Sequence, residues 1–300
     1  MGHHVSGPDR PSAARLPRRL LPYRVTRWIA ASLLHGWVLF AYVLLLAPLI
    51  VLAGASFDGA ENYAFVNFPP ENPTFEWYFE IPRRYYESIG VSIALAGTTA
   101  VLSVVFGVPA AFGLVRAVLP GRPLLSAIFR SPLQIPSVVI GISFLHLYYA
   151  MGIAMGVNPA GSFAGLAIGH FFHSMPYVTG TTVAVLQRFN TALEEAAISL
   201  GASRWRTLRR ITLPVIMPGV YTGALYSFMV SFGDIPISIF LTTPQFTTFP
   251  VEIFLDMDQG LEPPMLAAST LVIVFSLGVM LLVQKVVGLE QILRSAGARK

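Results

Sequence analysis

The chain has 300 residues, 54% of them hydrophobic and only 12% charged, about half the charged share of an ordinary soluble domain. Its net charge is +5 and it has no cysteine, which excludes disulfides, thiolate nucleophiles and thiolate metal sites. Repeated apolar runs long enough to cross a hydrocarbon layer of about 30 Å exclude a water-soluble globule and give an all-α, polytopic membrane protein.

Residues 1–27 form a basic N-terminal segment carrying Arg10, Arg15, Arg18, Arg19, Arg24 and Arg27. The first apolar run, expected as a span near Trp28–Ala53, is followed by Gly54-Ala55, so that Ala53-Gly54-Ala55 mimics a signal-peptide cleavage site. The run is about twice the length of a signal-peptide core, and a retained anchor is the better reading. The loop from Phe57 to Tyr86 is rich in aromatics and acids. Trp77 and Tyr78 within it suit either an interfacial aromatic belt or a surface that receives a partner protein.

Further spans are expected near Ser88–Val115, Pro132–Met151, Gly161–Leu186, Val215–Phe232 and Met265–Val287, six in all. The basic residues between them alternate. Arg116, Arg122 and Arg130 follow span two; Arg188, Arg204, Arg206, Arg209 and Arg210 follow span four; Lys285, Arg294, Arg299 and Lys300 follow span six. Only Arg83 and Arg84 fall in the other set of loops, where acids such as Asp58, Glu61, Glu252 and Asp256 collect. Cytoplasmic loops keep the positive charge, so both termini, including the tail 288–300, are expected inside. This distribution, rather than a basic face, argues against nucleic acid as a partner. In span four His170 and His173 have a spacing that can hold a metal, but no carboxylate accompanies them; a packing role is expected and no metal is assigned.

The inner loop 188–214 contains "EEAAISLGASRWRTLRRITLP", Glu194 to Pro214. Glutamate and alanine favour a helix there, Thr191 is placed to cap it, and Gly201 can adopt angles closed to other residues. Trp205, Leu208 and Ile211 recur at helical spacing, and Pro214 and Pro218 suit the start of the next span. The residues alone allow an amphipathic helix on the inner leaflet, or a smooth alanine surface with a carboxylate that a basic protein could meet. After span five, Asp234 is an acid near bilayer depth with Ser227, Ser231 and Phe232 close in sequence. These four are the candidate substrate pathway, since such an acid faces a cavity or partner and an aromatic beside it suits an ammonium group; a capping role competes. Lys285 and Lys300 are the only lysines and neither follows glycine, so the chain holds no Walker A loop; ATP would have to be hydrolysed by another polypeptide.

Glu195-Ala196-Ala197, Gly201, Ile211 and Leu213-Pro214 stand at the spacing of the EAA loop, and the chain resembles the membrane subunits of binding-protein-dependent ATP-binding-cassette importers. "PTFEWYFEI", "GRPL", "GHFFHSMPY", "MVSFGDIPISIFLTTP" and "LEPPMLAAST" look like the spermidine/putrescine-type branch, with one departure, Gly233-Asp234, where that branch tends to carry two adjacent acids. The resemblance implies a type I importer permease fold with six transmembrane helices over residues 28–287. It implies that Glu194, Glu195, Ala196, Ala197, Leu200, Gly201, Ile211, Leu213 and Pro214 belong to a loop coupling the chain to an ATPase, and that Trp77 and Tyr78 are candidates for docking a binding protein. The implied partners are a second permease, usually a paralogue; two ATPase subunits holding ATP and magnesium, this chain holding no cofactor; a periplasmic or lipid-anchored solute-binding protein; and the lipid of a bacterial inner membrane. The implied solute is a polyamine, or else 4-aminobutyrate, aminoethylphosphonate, ferric iron or thiamine. A stand-alone channel or a lipid-modifying enzyme are the competing classes; the first gives the central loop no purpose, and the second lacks clustered catalytic groups in the spans.

Overall fold

The computed structural model describes residues 23–59, 68–118, 120–258 and 262–297, with Gly2 and Gly260. Arg10, Arg15, Arg18, Arg19, Glu61, Arg299 and Lys300 lie outside the described residues. Apart from two isolated bridges, Asp58 with Pro73 and Thr243 with Phe246, the regular structure described is helical.

The chain divides into two compact units, residues 1–51 and 52–300. Most of the long helix α1 (Tyr23–Ala55) belongs to the first. The second holds α2 (Arg83–Arg116), α3 (Ser137–Met155), α4 (Phe163–Gln187), α5 (Ala192–Ser199), α6 (Arg204–Phe232), α7 (Phe249–Met257) and α8 (Pro263–Gly297).

Six spans were expected, and among the described residues five helices are long and apolar enough to cross a membrane: Ala30–Ala55 of α1, α2, α3, α6 and Pro263–Leu281 of α8. The remaining one, α4, has 25 residues and hence a length of about 37 Å, which suffices, but it is too polar. His170, His173, Ser174, Thr179, Thr181 and Thr182 dilute it. The reason is its place in the bundle. α4 packs along α2 and along α6, so much of its surface meets protein instead of lipid. Two of its hydroxyls bond to their own preceding turn, Thr179 to the Met175 carbonyl at 3.1 Å and Thr181 to that of Tyr177 at 2.9 Å, which removes the cost of an unpaired group at those two positions.

Small residues bring these helices together. Gly107 of α2 faces Val178 and Thr179, and Gly219 and Gly223 of α6 face α4 at the four-residue spacing of a close helix crossing. Ala111, Leu186, Ile216 and Val220 fill one end of the trio; Leu95, Ile140, Tyr148, Leu166, Ile237 and Leu241 form a second core that draws in α3.

Span three begins five residues later than expected, because Pro132 sits in a 3-10 turn and Pro136, with ψ 130°, holds an extended entry to α3. A short helix Arg122–Arg130, the turn Ser238–Leu241 and α7 were not anticipated. They are too brief for apolar periodicity to declare them.

Candidate functional site

The loop between α4 and α6 builds a rigid knuckle from local signals. α5 opens without the expected Thr191 side-chain cap: Thr191 has helical angles, and Asn190 Oδ1 instead accepts from the Ala192 amide at 3.0 Å. An Asx turn has outcompeted the hydroxyl cap. α5 closes as the sequence suggests. Gly201 has φ +87°, its amide donates to the Ile198 carbonyl at 2.9 Å, and the Ala202 amide donates to that of Ala197 at 3.0 Å. Those two bonds are the Schellman closure, which requires the left-handed residue that glycine supplies. A Cβ on Gly201 would meet no atom within 4 Å, so backbone angle alone calls for glycine here.

α6 then runs unbroken from Arg204, so Pro214 does not begin the span as expected. A π turn over Leu208–Thr212, with the Leu213 amide bonding to the Leu208 carbonyl, precedes Pro214. Proline lacks the N–H and its ring crowds the carbonyl four residues back; widening the turn accommodates both without ending the helix.

Glu194 has a different place from its neighbours. Glu195, Ala196 and Gly201 are exposed, and Leu200 and Trp205 are 89% and 68% exposed, an apolar surface on a basic segment. Glu194 turns inward, pairs with Arg116 at the end of α2 and accepts from the Thr212 hydroxyl in the π turn. The Arg116 guanidinium also lies over the Phe189 and Phe112 rings, at 5.4 and 5.9 Å. Three elements therefore meet at one carboxylate. Burial pushes the Glu194 carboxyl up, but the bonds from Arg116 and Thr212 and the Arg116 charge outweigh it and hold the group below the usual carboxylate range. A lowered value stabilises the fold above the unfolded carboxylate value, and the contribution is lost as pH falls through the folded one. At neutral pH the junction is fully formed. Ile211 and Leu213 are half-buried beside it and Pro214 is exposed.

At the other end of α6, Phe232 stacks on Phe228 at 5.9 Å and Asp234 follows on a turn. Asp234 is 9% exposed, and its Oδ1 accepts from the amides of Ile237 (2.8 Å) and Ser238 (3.3 Å). It thus caps the turn Ser238–Leu241 from a buried position. Ser227 bonds to Ser103 of α2 at 3.0 Å; Ser231 bonds to His170 Nδ1 at 2.9 Å. His170 Nε2 meets Ser238 Oγ at 3.0 Å, so the buried imidazole ties α4 to both sides of the Asp234 turn. The packing role expected of His170 is this bridge, and its two serine partners were not legible in the sequence. Among the described residues no group of three or more potential metal ligands occurs.

Trp77 and Tyr78 are half-buried and engaged within the loop: Trp77 Nε1 donates to the Asp58 carbonyl at 2.7 Å, and the Tyr78 hydroxyl meets Ser56 Oγ at 2.7 Å. The most exposed rings of this loop are Phe75 and Phe79, 68% and 88% exposed. Nearby, Arg84 pairs with Asp256 (2.9 Å) and Glu252 (3.4 Å), pinning α7 to the start of α2.

Residues 103–287 match the family described as "Binding-protein-dependent transport system inner membrane component". The chain is 30% identical over 251 residues to the spermidine/putrescine transport system permease protein PotC of Escherichia coli (strain K12), covering 83% of this chain and 91% of that one. It is 28% identical over 256 residues to the putrescine transport system permease protein PotI of the same strain, covering 84% and 88%. Its fold is similar to that of a bacterial ABC transporter involved in the import of the acidic polysaccharide alginate, with TM-score 0.65 at 18% identity over 88% of this chain and 96% of the other.

Proposed function

The chain belongs to the binding-protein-dependent transport system inner membrane component family, and from that membership we propose that it is one permease subunit of an ATP-driven importer of polyamines or a related amine. It is a multi-pass inner-membrane protein whose termini and α5 face the cytoplasm, with α4 completing six passes. It forms the solute pathway together with a second, paralogous permease. ATP and magnesium are held by two ATPase subunits, and an external binding protein delivers the solute. The chain itself performs no catalysis.

The observation that carries this reading is the knuckle: a short helix with Ala192 and Ala196 exposed and Ala197 half-buried, closed by Gly201 and fastened through Glu194 to α2 and α6. When the ATPase dimer closes, a force on α5 passes to the ends of two packed helices. Switching a transporter between two states needs a bias of several kcal/mol, which ATP supplies only through a stiff connection. Gly201→Ala places a Cβ residue in the left-handed region at a cost of about 1 kcal/mol. The expected result is about fivefold weaker binding of the ATPase subunit, measured by titration, with Gly201→Asn closer to wild type. Equal affinity for Gly201→Ala and wild type would remove the closure from the argument.

For the solute, the supporting residues are Asp234 with Phe232 beside it. Both Asp234 bonds end on Oδ1, so Oδ2 is the atom to meet an ammonium group. Asp234→Asn preserves the cap, since asparagine caps as well as aspartate, but removes the charge. In liposomes holding the whole transporter and binding protein, labelled spermidine uptake is expected to need ATP and to fall about tenfold in Asp234→Asn, with melting temperature unchanged. Uptake of sulfate but no amine would refute the amine reading; full spermidine uptake by Asp234→Asn would leave Asp234 a cap alone.

A further inference from the structure

We propose that the short helix Arg122–Arg130 is a membrane-surface foot that binds the phosphate of an anionic phospholipid. The helix enters from Gly121 at φ +75° with Pro123 in its first turn, between the end of α2 at Arg116 and α3. Arg122, Ser126 and Arg130 recur every four residues and so share one stripe. All three line a cleft against α4, together with Gln187 at the end of that helix. The cleft measures about 60 Å³, room for about four water-sized groups, and none of its lining residues is acidic.

The charge in this stripe is uncompensated. Arg84 and Arg116 have carboxylate partners, whereas among the described residues neither Arg122 nor Arg130 has one. On another side of the same helix Leu124 and Ile128 are 66% and 56% exposed, while Leu125 and Phe129 are half-buried. One short helix thus offers a cationic stripe and an apolar stripe, both open. A leaflet boundary satisfies the two together: acyl chains cover Leu124 and Ile128, and headgroup phosphates meet the guanidinium groups. Arginine matches phosphate with paired N–H donors, and Ser126 and Gln187 add neutral ones. The inference is independent of the transported solute. It requires only that this end of the bundle meets a leaflet surface, where α2 and α4 both terminate.

The test uses the assembled transporter, delipidated in detergent and titrated with phosphatidylglycerol, phosphatidylcholine or inorganic phosphate while its melting temperature is followed. Phosphatidylglycerol is expected to raise the melting temperature of the wild type; phosphatidylcholine and inorganic phosphate are not. Arg122→Gln/Arg130→Gln is expected to weaken the phosphatidylglycerol response by about tenfold in apparent affinity, the scale of losing a charge-assisted bond. Arg122→Lys/Arg130→Lys, which keeps the charge without the fork, falls between. An equal response in wild type and the glutamine variant, or an equal effect of inorganic phosphate, overturns the proposal. Should the glutamine variant fail to fold, a photoreactive residue at Ile128 decides: phospholipid adducts support the foot, and adducts with a neighbouring polypeptide overturn it.

Discussion

Replacing Glu194 with alanine is expected to leave the membrane subunits assembled and the ATPase turning over, while solute moved per ATP falls by about tenfold. The sequence places Glu194 beside Glu195 as though both faced the same partner, but the two acids have different surroundings. Glu195 is exposed; the Glu194 side chain is 17% exposed and engages Arg116 and Thr212. A bond to a charged group is worth about 1.5–3 kcal/mol when well buried, and the partial exposure of Arg116 moves this pair to the lower end. Losing about 1.5 kcal/mol of fastening is too little to unfold a bundle held by α2, α4 and α6. It is enough to let α5 move without carrying α2 and α6 with it, since 1.4 kcal/mol is already a factor of ten in a conformational equilibrium. Uptake and phosphate release measured in the same liposomes give the ratio directly. Exchanging the charges, Glu194→Arg with Arg116→Glu, is expected to recover part of the loss, because the pair can re-form across the same gap. Unchanged stoichiometry in Glu194→Ala would show that force travels by another route.

What the sequence declared, and what it withheld, divides along physical lines. Long apolar runs and the Gly201 exit are local: hydrophobic length and a left-handed glycine have the same meaning in any context. The direction of Glu194 is not local. It depends on Arg116, which lies 78 positions away and arrives only when α2 and α4 pack. His170 shows the same limit, since its partners Ser231 and Ser238 lie 61 and 68 positions on. Pro214 misled for a subtler reason. Proline usually marks a helix start, and only the π turn before it, invisible in residue types, let the helix continue. Asp234 was legible as an expensive acid with capping as one of two roles, but not which amides it would cap, because every residue carries one. In the loop that carries Trp77 and Tyr78, the most exposed rings belong to Phe75 and Phe79, since the two singled out by residue type turn inward to bond Asp58 and Ser56.

The largest stability effect is expected at Gly223, where α6 crosses α4. A Cβ built there would lie 2.6 Å from Val178 Cα, a backbone atom that cannot turn aside. Thr181 Oγ1 would collide with it as well, and that hydroxyl is already committed to the Tyr177 carbonyl. A Cβ on Gly219, one turn earlier, would meet Val185 Cγ2 at 2.5 Å, but its nearest backbone atom is the Thr181 carbonyl oxygen at 3.2 Å, farther than the Val178 Cα that faces Gly223. Gly180, on α4 itself, has nothing within 4 Å. Three alanine substitutions of identical chemistry should therefore rank by what stands opposite. In a membrane the helices gain nothing from hiding apolar surface, because lipid is equally apolar; close backbone approach is the attraction, and separating the helices forfeits it. Gly223→Ala is expected to cost about 1–3 kcal/mol, and Gly223→Leu to abolish recovery of folded protein. Gly219→Ala should be milder, and Gly180→Ala neutral or slightly stabilising through its better helix propensity. Melting temperatures of the three purified variants in one detergent settle the order. Gly223→Ala melting with Gly180→Ala would mean that α4 and α6 are not in the close contact described, and the route from α5 through α6 to the Asp234 turn would lose its rigid wall.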